Sequence, residues 1–373
     1  PGRSTCGELG TPGIIDAMRN GGSYRILGGE VRLLTLSLKD PFITALGSKR
    51  ETVNALLRLR LGSGVDGWGE ASSSIVHKEL SADRLARSLR RLLARLRGRD
   101  VRRWESLSAE IWSLCPQAPA AAAAFECAAL DALTRSLKIP AAEWFGGASD
   151  RLETDLTVSA LPAPRAGEIA RRALQDGFRT LKVKVGTRDR REDISRVLAC
   201  ALAPGARSRP RIILDGNQGF TLRGAASFTE KCLKAGADVV LFEQPLRRED
   251  LRGAALLRRR CPVPLAADES VRSPAEALAV IEAEAADVLN IKLAKMGVRM
   301  ALETLALARA AGKGLMIGCM QESALGLSMS AHLACGTGAF SFADLDSDCL
   351  LEEGQPRGSF TRQGPLLFLG TGA

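Results

Sequence analysis

Four charged residues end four consecutive apolar runs in the second half of this 373-residue chain. Asp215 ends RIILD, Glu243 ends VVLFE, Asp268 ends PLAAD and Lys292 ends VLNIK. Neighbouring members of this series are 24 to 28 residues apart, about the length of one strand and one helix. In a parallel barrel, the carboxyl ends of all strands form one rim, and active sites lie at that rim. We therefore expect these four side chains to converge.

The three acids suggest a metal site. Carboxylates without histidine or cysteine form a hard, all-oxygen donor set, which suits Mg²⁺ with water or substrate oxygens completing the octahedron. Without a cation, three carboxylates at one place would repel and raise each other's pKa values. The alternative is that each acid caps the helix that follows its strand. Three acids in phase, each after an apolar run, favour the metal site.

Two lysines lie two residues apart in the run TLKVKVG, residues 180–186. Alternate residues of a strand share a face, so Lys182 and Lys184 point one way and the apolar residues point the other. In a barrel the apolar face packs on the outer helices, and the lysines then face the interior. An exposed edge strand with solvated lysines is the alternative. A metal and lysines at one rim suit removal of the proton next to a substrate carboxylate, with the metal as Lewis acid and lysine as base.

The surrounding sequence predicts the elements that would position these residues. From about residue 151, eight short β runs alternate with helical segments, which predicts a parallel (β/α) barrel. A doubly wound open sheet is the alternative, although no GxGxxG follows the first strand. Before it, alternating runs and then helical segments predict an α+β domain. We expect a loosely structured extension at 1–30, the α+β domain at 31–150, the barrel at 151–346, and a C-terminal segment at 347–373 that returns to the first domain.

Composition narrows the class of protein. The net charge is +10, but the arginines lie between leucines at helical spacing without interleaved aromatic residues, which favours solvated helix faces over nucleic-acid binding. Two histidines, His77 and His332, exclude a histidine-rich metal site. Nine cysteines without a CxxC pair indicate reduced thiols. The sequence shows neither a signal-peptide pattern nor an apolar run of the ~18 residues that span a bilayer. We expect a cytoplasmic protein that binds neither nucleic acid nor membrane.

Five motifs, in this order, resemble the muconate-lactonizing-enzyme subgroup of the enolase superfamily: LKVKVG, LDGNQGF, LFEQPL, ADESV and NIKLAKMG. The resemblance extends from about residue 31 to the C-terminus and includes GWGEA in the first domain. It implies a (β/α)7β TIM-like barrel with an α+β capping domain. It also implies a Lys base acting with Mg²⁺. The implied metal ligands are Asp215, Glu243 and Asp268. The implied acid/base residues are Lys184 and Lys292, with Lys182 tuning Lys184.

Three further stretches are most similar to dipeptide epimerases. FADLDSD contains Asp344 and Asp346, which by resemblance hold the α-ammonium group of a dipeptide. GCMQESALG also matches, and ETDLTVS places Thr157 near the substrate. The resemblance thus implies a Mg²⁺-dependent isomerase that epimerises a small dipeptide by a two-lysine mechanism. In the loop ITALGSKRE, Leu46 stands where Ala-Glu epimerases carry an arginine for the glutamate side chain, and Lys49 or Arg50 are possible substitutes.

Other activities stay open at this point. Within the superfamily, o-succinylbenzoate synthase, muconate cycloisomerase and N-acylamino acid racemase share the motifs, but the first two act on substrates without an ammonium group for Asp344 and Asp346. A basic nucleic-acid-binding protein on a barrel scaffold would leave the three strand-end acids unexplained. The identity of the dipeptide, the pathway and any homo-oligomeric state are not determined by the sequence.

Overall fold

The first part of the chain forms an antiparallel sheet followed by helices. In the computed structural model, which describes residues 23–73, 81–204 and 209–370, three strands pair in the order β1 (Ile26–Thr44), β2 (Gly47–Leu61) and β3 (Asp66–Ala71). Four helices follow: α1 (Ala82–Leu96), α2 (Trp104–Leu114), α3 (Pro119–Leu137) and α4 (Ala141–Trp144). The expected α+β capping domain is confirmed.

The first described residues of the chain lead directly into strand β1 of the capping domain. Residues 1–22 of the expected loose extension lie outside the described residues, as does His77. The rest of that stretch is structured, because β1 begins at Ile26. Tyr24 and Ile26 are only 6% and 1% exposed, and both belong to the main hydrophobic core. Burial of two large apolar side chains anchors this segment, and the domain boundary expected at residue 30 stays a prediction.

Glycines in β3 allow helix α3 to lie directly on the sheet. A Cβ added at Gly67 would overlap the carbonyl oxygen of Ala128, and one added at Gly69 would overlap that of Ala124. The facing side of α3 is a run of alanines, which are buried. Small residues on both partners therefore give the close approach that places the next residue of β3, Glu70, at the capping-domain–barrel contact.

The barrel contains eight parallel strands. Their order in the sheet follows the chain from first to last. After the short strand β4 (Arg151–Glu153), the barrel strands are β5 (Leu156–Val158), β6 (Thr180–Lys184), β7 (Arg211–Asp215), β8 (Asp238–Glu243), β9 (Leu265–Ala267), β10 (Val288–Ile291), β11 (Gly314–Gly318) and β12 (Phe342–Asp344). The helices between them are α5 (Ala163–Gln175), α6 (Arg190–Ala201), α7 (Leu222–Lys234), α8 (Leu251–Arg258), α9 (Pro274–Glu282), α10 (Leu293–Ala310) and α11 (Ala324–Thr337).

Seven helices between eight parallel strands make the predicted (β/α)7β barrel, and the doubly wound alternative is wrong. The barrel nearly closes, because the backbone N–H of Asp155 donates to the carbonyl of Ala343 at 3.0 Å across the seam between β5 and β12. None of the helices in the described part of the chain is both long and apolar enough to cross a membrane.

The chain ends with elements that contact both parts. After α12 (Ser347–Leu350), Leu351 bridges Leu38 of β1, and the N–H of Glu352 donates to the carbonyl of Ser37 at 2.9 Å. The last strands, β13 (Phe360–Gln363) and β14 (Leu366–Leu369), form an antiparallel sheet with β4. The C-terminal segment thus contacts the capping sheet near Leu351. Further along the chain it pairs with β4, the strand that precedes the barrel. The exact division of the chain at residues 150 and 346 stays a prediction.

Two buried glutamates fasten the capping domain to the barrel. The carboxylate of Glu70 accepts hydrogen bonds from Asn54 Nδ2 at 2.6 Å and from the N–H of Ser323, the N-cap of α11, at 3.0 Å. The carboxylate of Glu126 on α3 accepts from Trp112 Nε1 at 2.9 Å and from the N–H of Val298 in α10 at 2.6 Å. These bonds hold the sheet of the capping domain over the mouth of the barrel.

Candidate active site

The three strand-end acids lie next to one another in the barrel. Asp215 and Glu243 are the last residues of β7 and β8, and Asp268 directly follows β9. Asp215 and Glu243 are 0% exposed and Asp268 is 5% exposed. Carboxylates are rarely this buried unless they are paired or bind a cation. The site is therefore built to hold positive charge.

Lys182 and Lys184 supply part of that charge. Lys184 Nζ lies 2.5 Å from Asp215 Oδ2. Lys182 Nζ lies 2.7 Å from Glu243 Oε2 and 3.2 Å from Asp215 Oδ2. Both lysines lie on β6, one strand before Asp215, and both are buried. The lysine face of TLKVKVG thus turns into the barrel, while its valines belong to the core shared with the outer helices.

A third lysine stands on the opposite side of the mouth. Lys292 directly follows β10, which is four strands away from β6 in a sheet of eight. Lys292 Nζ lies 2.9 Å from Asp268 Oδ2. Its neighbour Lys295 Nζ donates to Asp268 Oδ1 at 2.7 Å and to the carbonyl of Asn290 at 3.1 Å. Lys184 and Lys292 therefore lie at the ends of strands four apart in the barrel, and the three acids lie at the ends of the strands between them.

Burial and these ion pairs set the protonation states. Burial raises the pKa of Glu243 to about 7, with Lys182 opposing it. Burial acts in the same direction on Asp215, but Lys184 and Lys182 outweigh it and lower the pKa of that carboxyl to about 2. Burial lowers the pKa of Lys292, yet the Asp268 carboxylate outweighs burial and holds that pKa above its usual value. Lys292 is therefore protonated at neutral pH in this arrangement.

The donor set of the acids fits a hard cation. Both oxygens of the buried Glu243 carboxylate face donors, because Lys182 Nζ lies 2.7 Å from Oε2 and Asn290 Nδ2 donates to Oε1 at 2.9 Å. A buried carboxylate is costly unless it is paired or binds a cation, so this position favours positive charge. All three acids offer only oxygen, which Mg²⁺ prefers. The ligand atoms of Asp215, Glu243 and Asp268 do not all lie within 4.8 Å of one another. Among the described residues, only Cys319, Asp344 and Asp346 have three donor atoms that close together.

Asp344 and Asp346 form a second acidic group at the end of β12. Thr157 links them to β5, because its N–H donates to Asp346 Oδ2 and its hydroxyl donates to Asp344 Oδ1 at 3.3 Å. Lys182 Nζ also reaches Asp344 Oδ2 at 2.7 Å, which connects this group with the metal-site acids. Burial and the Asp344 charge raise the pKa of Asp346 to about 6. A cationic group of a ligand would relieve that repulsion.

A cavity of about 770 Å³ lies between the capping sheet and the barrel mouth. Seven of the expected site residues line it: Leu46, Thr157, Lys184, Asp268, Lys292, Asp344 and Asp346. Lys182, Asp215 and Glu243 are not in its wall. A smaller cavity of about 310 Å³ between β3, α3 and α11 contains none of these side chains. Lysines and acids of the expected site therefore lie together in the wall of the larger cavity.

The β1–β2 hairpin forms the capping-domain wall of this cavity. Phe42 pairs with Lys49 across the two strands, and the Lys184 amine lies 5.5 Å from the centre of the Phe42 ring. Lys49 lines the cavity as well, donates to Thr52 Oγ1 at 3.0 Å, and has its pKa lowered to about 8 by burial. Leu46, at the hairpin turn, is 36% exposed. The hairpin therefore offers one apolar and one cationic group near Lys184.

Two family models match this chain. The mandelate racemase / muconate lactonizing enzyme N-terminal domain matches residues 30–146, and the enolase C-terminal domain-like model matches residues 165–362. The chain belongs to the enolase superfamily. Within it, the chain is similar to the aromatic dipeptide epimerase of Herpetosiphon aurantiacus, with 39% identity over 336 residues that cover 90% of this chain and 94% of the relative.

Other members of the enolase superfamily show the same relationship. The L-Ala-D/L-Glu epimerase of Thermotoga maritima is 36% identical over 92% of this chain and 98% of its own length. The crystal structure of the dipeptide epimerase from Enterococcus faecalis, complexed with Mg and the dipeptide L-Leu-L-Tyr, has a TM-score of 0.87 and 29% identity, covering 94% of this chain and 98% of that chain. The resemblance to dipeptide epimerases is confirmed, and the chain is an isomerase.

Sequence reasoning missed some residues of this enolase-superfamily site. Asn290 holds Glu243 and is buried, and the pattern VLNIK contained the signal: a polar residue two positions before Lys292 shares its face. Gln244 was also missed. Its Oε1 accepts the N–H of Asp268 at 2.9 Å and so fixes the turn that carries this acid. No spacing rule identifies Gln244, because it lies after its strand with a φ of 36°.

Proposed function

We propose that this isomerase epimerises dipeptides at the α-carbon next to their C-terminal carboxylate. The observation that carries the proposal is the placement of Lys184 and Lys292 on opposite sides of the acid cluster, each against a different carboxylate. An α-carbon held between the two amines presents one face to each. One lysine removes the proton from one face, and the other lysine delivers a proton to the opposite face, which inverts the centre.

Asp215, Glu243 and Asp268 would hold Mg²⁺. The bound ion would act as a Lewis acid toward the substrate carboxylate and stabilise the negative charge that develops when the α-proton leaves. The solved relative from Enterococcus faecalis, complexed with Mg and a dipeptide, supports this assignment. Lys182 has no such direct task. Its contacts with Asp215, Glu243 and Asp344 keep the acids from repelling one another and keep positive charge near Lys184.

Asp344 and Asp346 would bind the α-ammonium group of the dipeptide. The pair lies in the wall of the same cavity as the two lysines, and Thr157 fixes its position. A carboxylate pair recognises an ammonium group by charge-assisted hydrogen bonds. This arrangement selects substrates that carry both an ammonium group and a carboxylate. A cycloisomerase substrate without nitrogen has no ammonium group for the two aspartates to bind.

The side chain at the reacting carbon would face the hairpin that carries Phe42, Leu46 and Lys49. The two relatives described above are named for aromatic dipeptides and for L-Ala-D/L-Glu, which suggests apolar and acidic side chains as the first two classes to compare. Phe42 and Leu46 suit an apolar side chain, whereas Lys49 suits an acidic one. Both classes belong in the test.

A library of dipeptides incubated with the protein and Mg²⁺ in D₂O tests the proposal. We expect deuterium at the C-terminal α-carbon and the appearance of the second diastereomer, both seen by proton NMR and mass spectrometry. N-acetylated versions of the best substrates are the matched control and should react far more slowly, because they lack the ammonium group. Exchange of N-acetylated amino acids at the same rate as dipeptides would instead indicate an N-acylamino acid racemase.

A further inference from the structure

A buried ion pair on α6 lies behind the strand end that carries Lys184. Asp193 and Arg196 are 0% and 2% exposed, and Arg196 Nη1 lies 2.7 Å from Asp193 Oδ1. Neither lines the cavity at the barrel mouth. A buried ion pair on the outer layer of a barrel is costly unless its remaining donors and acceptors are satisfied. The partners of this pair show what it holds.

Arg196 joins the ends of two barrel strands. Its Nη1 donates to the carbonyl of Lys184 at 3.2 Å, and its Nε donates to the carbonyl of Leu161, in the segment after β5. A guanidinium group offers donors in a fixed fork, so the two carbonyls are held at a set separation. The backbone of Lys184 is thus bound by a side chain from a helix outside the barrel.

Asp193 holds the turn that follows Lys184. Its carboxylate accepts from the N–H groups of Gly186 and Thr187, both at 3.0 Å, and from the Thr187 hydroxyl at 2.7 Å. Gly186 has a φ of 91°, and a Cβ there would overlap the carbonyl oxygen of Gly216, directly after Asp215. The turn after β6 is therefore pressed against the turn after β7. This contact sets the separation of the strand ends that carry Lys184 and Asp215.

No equivalent pair supports the opposite flank within the described residues. Lys292 is followed directly by α10, and its neighbours Lys295 and Asn290 bind the acids themselves. The Asp193–Arg196 pair therefore acts on one of the two strand-end lysines only. We propose that Asp193 and Arg196 are positioning residues that set the reach of Lys184, and that they control proton transfer on the Lys184 face of the substrate and not on the Lys292 face. This inference rests on the proposed two-lysine epimerisation.

The test separates the two faces by using single-lysine variants. Lys292→Ala leaves only Lys184 to exchange the α-proton, and Lys184→Ala leaves only Lys292. Arg196→Lys is then added to each. A lysine keeps the positive charge beside Asp193, but its single amine does not span both carbonyls. Val197→Ala is the matched control, because Val197 is the next residue of the same helix, is 0% exposed and packs in the core.

We expect Arg196→Lys to slow D₂O exchange in the Lys292→Ala background by about 10- to 100-fold, the range that a displacement of up to 1 Å produces. In the Lys184→Ala background the change should stay below about twofold, and Val197→Ala should slow neither exchange selectively. An equal fall in both backgrounds, or no fall in the Lys292→Ala background, would overturn the proposal.

A second measurement needs no substrate. The rates of reductive methylation of Lys184 and Lys292, followed by mass spectrometry in the otherwise unchanged chain, report how freely each amine moves. Arg196→Lys should raise the rate at Lys184 by about fivefold, the factor that one lost hydrogen bond is worth, and leave Lys292 unchanged. An unchanged Lys184 rate contradicts the positioning role. If the unmodified chain exchanges no dipeptide at all, the proposed function fails, and this second measurement alone decides the role of Arg196.

Discussion

Removing Lys184 or Lys292 should slow epimerisation strongly but leave proton exchange on one face of the α-carbon. In each alanine variant one face of the α-carbon still meets an amine, so the stereoisomer whose hydrogen points to that amine still exchanges with D₂O. Lys184→Ala and Lys292→Ala should therefore exchange opposite stereoisomers much faster than they invert them. If one lysine served both faces, the variant without it would exchange neither stereoisomer and the other variant would exchange both.

The surroundings of each lysine set the size of the loss. On the Lys184 flank, the nearest other amine is that of Lys182, which is 1% exposed, is bound to three carboxylates and does not line the cavity. Epimerisation by Lys184→Ala should therefore fall by the full ~10⁴-fold, or about 5 kcal/mol of barrier, that a positioned base contributes. On the other flank, Lys295 lines the cavity beside Lys292 and also bonds Asp268. Epimerisation by Lys292→Ala should fall less, by ~10²-fold.

The assay is proton NMR of each pure diastereomer in D₂O with each variant, at saturating Mg²⁺. Loss of the α-proton signal measures exchange, and growth of the second diastereomer measures inversion. Arg191→Ala is the control variant, because this exposed residue of α6 lies away from the cavity and should keep both rates. Exchange of the same stereoisomer by both lysine variants, or inversion at the parent rate by either, refutes the two-face arrangement.

Three further outcomes follow from the site and its surroundings. Chelation should abolish activity and Mg²⁺ should restore it, whereas Glu243→Gln should need far more Mg²⁺; full activity of that variant after exhaustive chelation would rule out the metal site. Leu46→Arg should raise the ratio of kcat/KM for acidic dipeptides to kcat/KM for apolar ones, and Lys49→Met should lower this ratio. An unchanged ratio in both variants would show that the hairpin does not set substrate specificity. The free energy of unfolding should fall as the pH drops from 6.5 toward 4, because burial lowers the pKa of His332 to about 4 and the unfolded chain takes up the proton first. Urea titrations of the parent and His332→Gln should differ in this fall by about 3 kcal/mol, and parallel curves would contradict it.

The placement of the strand-end residues was predictable because it follows from two repeats in the sequence. Strand alternation placed Lys182 and Lys184 on one face, and the repeat of one strand and one helix placed Asp215, Glu243 and Asp268 at one rim. Both patterns depend only on residues close together in the sequence. The face and the strand end on which each residue lies are therefore the same in the folded barrel, whose strands are short and buried. Which amine pairs with which carboxylate depends on distances across strands, and no spacing in the sequence contains them.

Arg196 shows where sequence reasoning fails. It lies in REDISRVLAC, a helix with several other charged residues, and reads like one more solvated arginine. Its burial results from the carbonyl of Leu161, in the segment after β5, and the carbonyl of Lys184, at the end of β6. The burial of Tyr24 was not predictable for a related reason. Tyr24 stands in a glycine-rich stretch without periodicity, and its burial depends on partners such as Arg102, whose guanidinium lies 4.5 Å from the ring centre.

The proposed catalytic residues and the proposed specificity hairpin lie in parts of the molecule with different freedom to change. Lys184, Lys292 and their acids are buried and joined by ion pairs, so replacing one leaves another charge unpaired in the interior, which is strongly destabilising. The hairpin turn at Leu46 is exposed, and a substitution there disturbs no buried charge. Relatives that keep the barrel can therefore act on different side chains, and the different names of the two similar epimerases agree with this. Overall identity says little about which dipeptide this chain prefers, and Lys49 and Leu46 are the residues at which that preference should be changed.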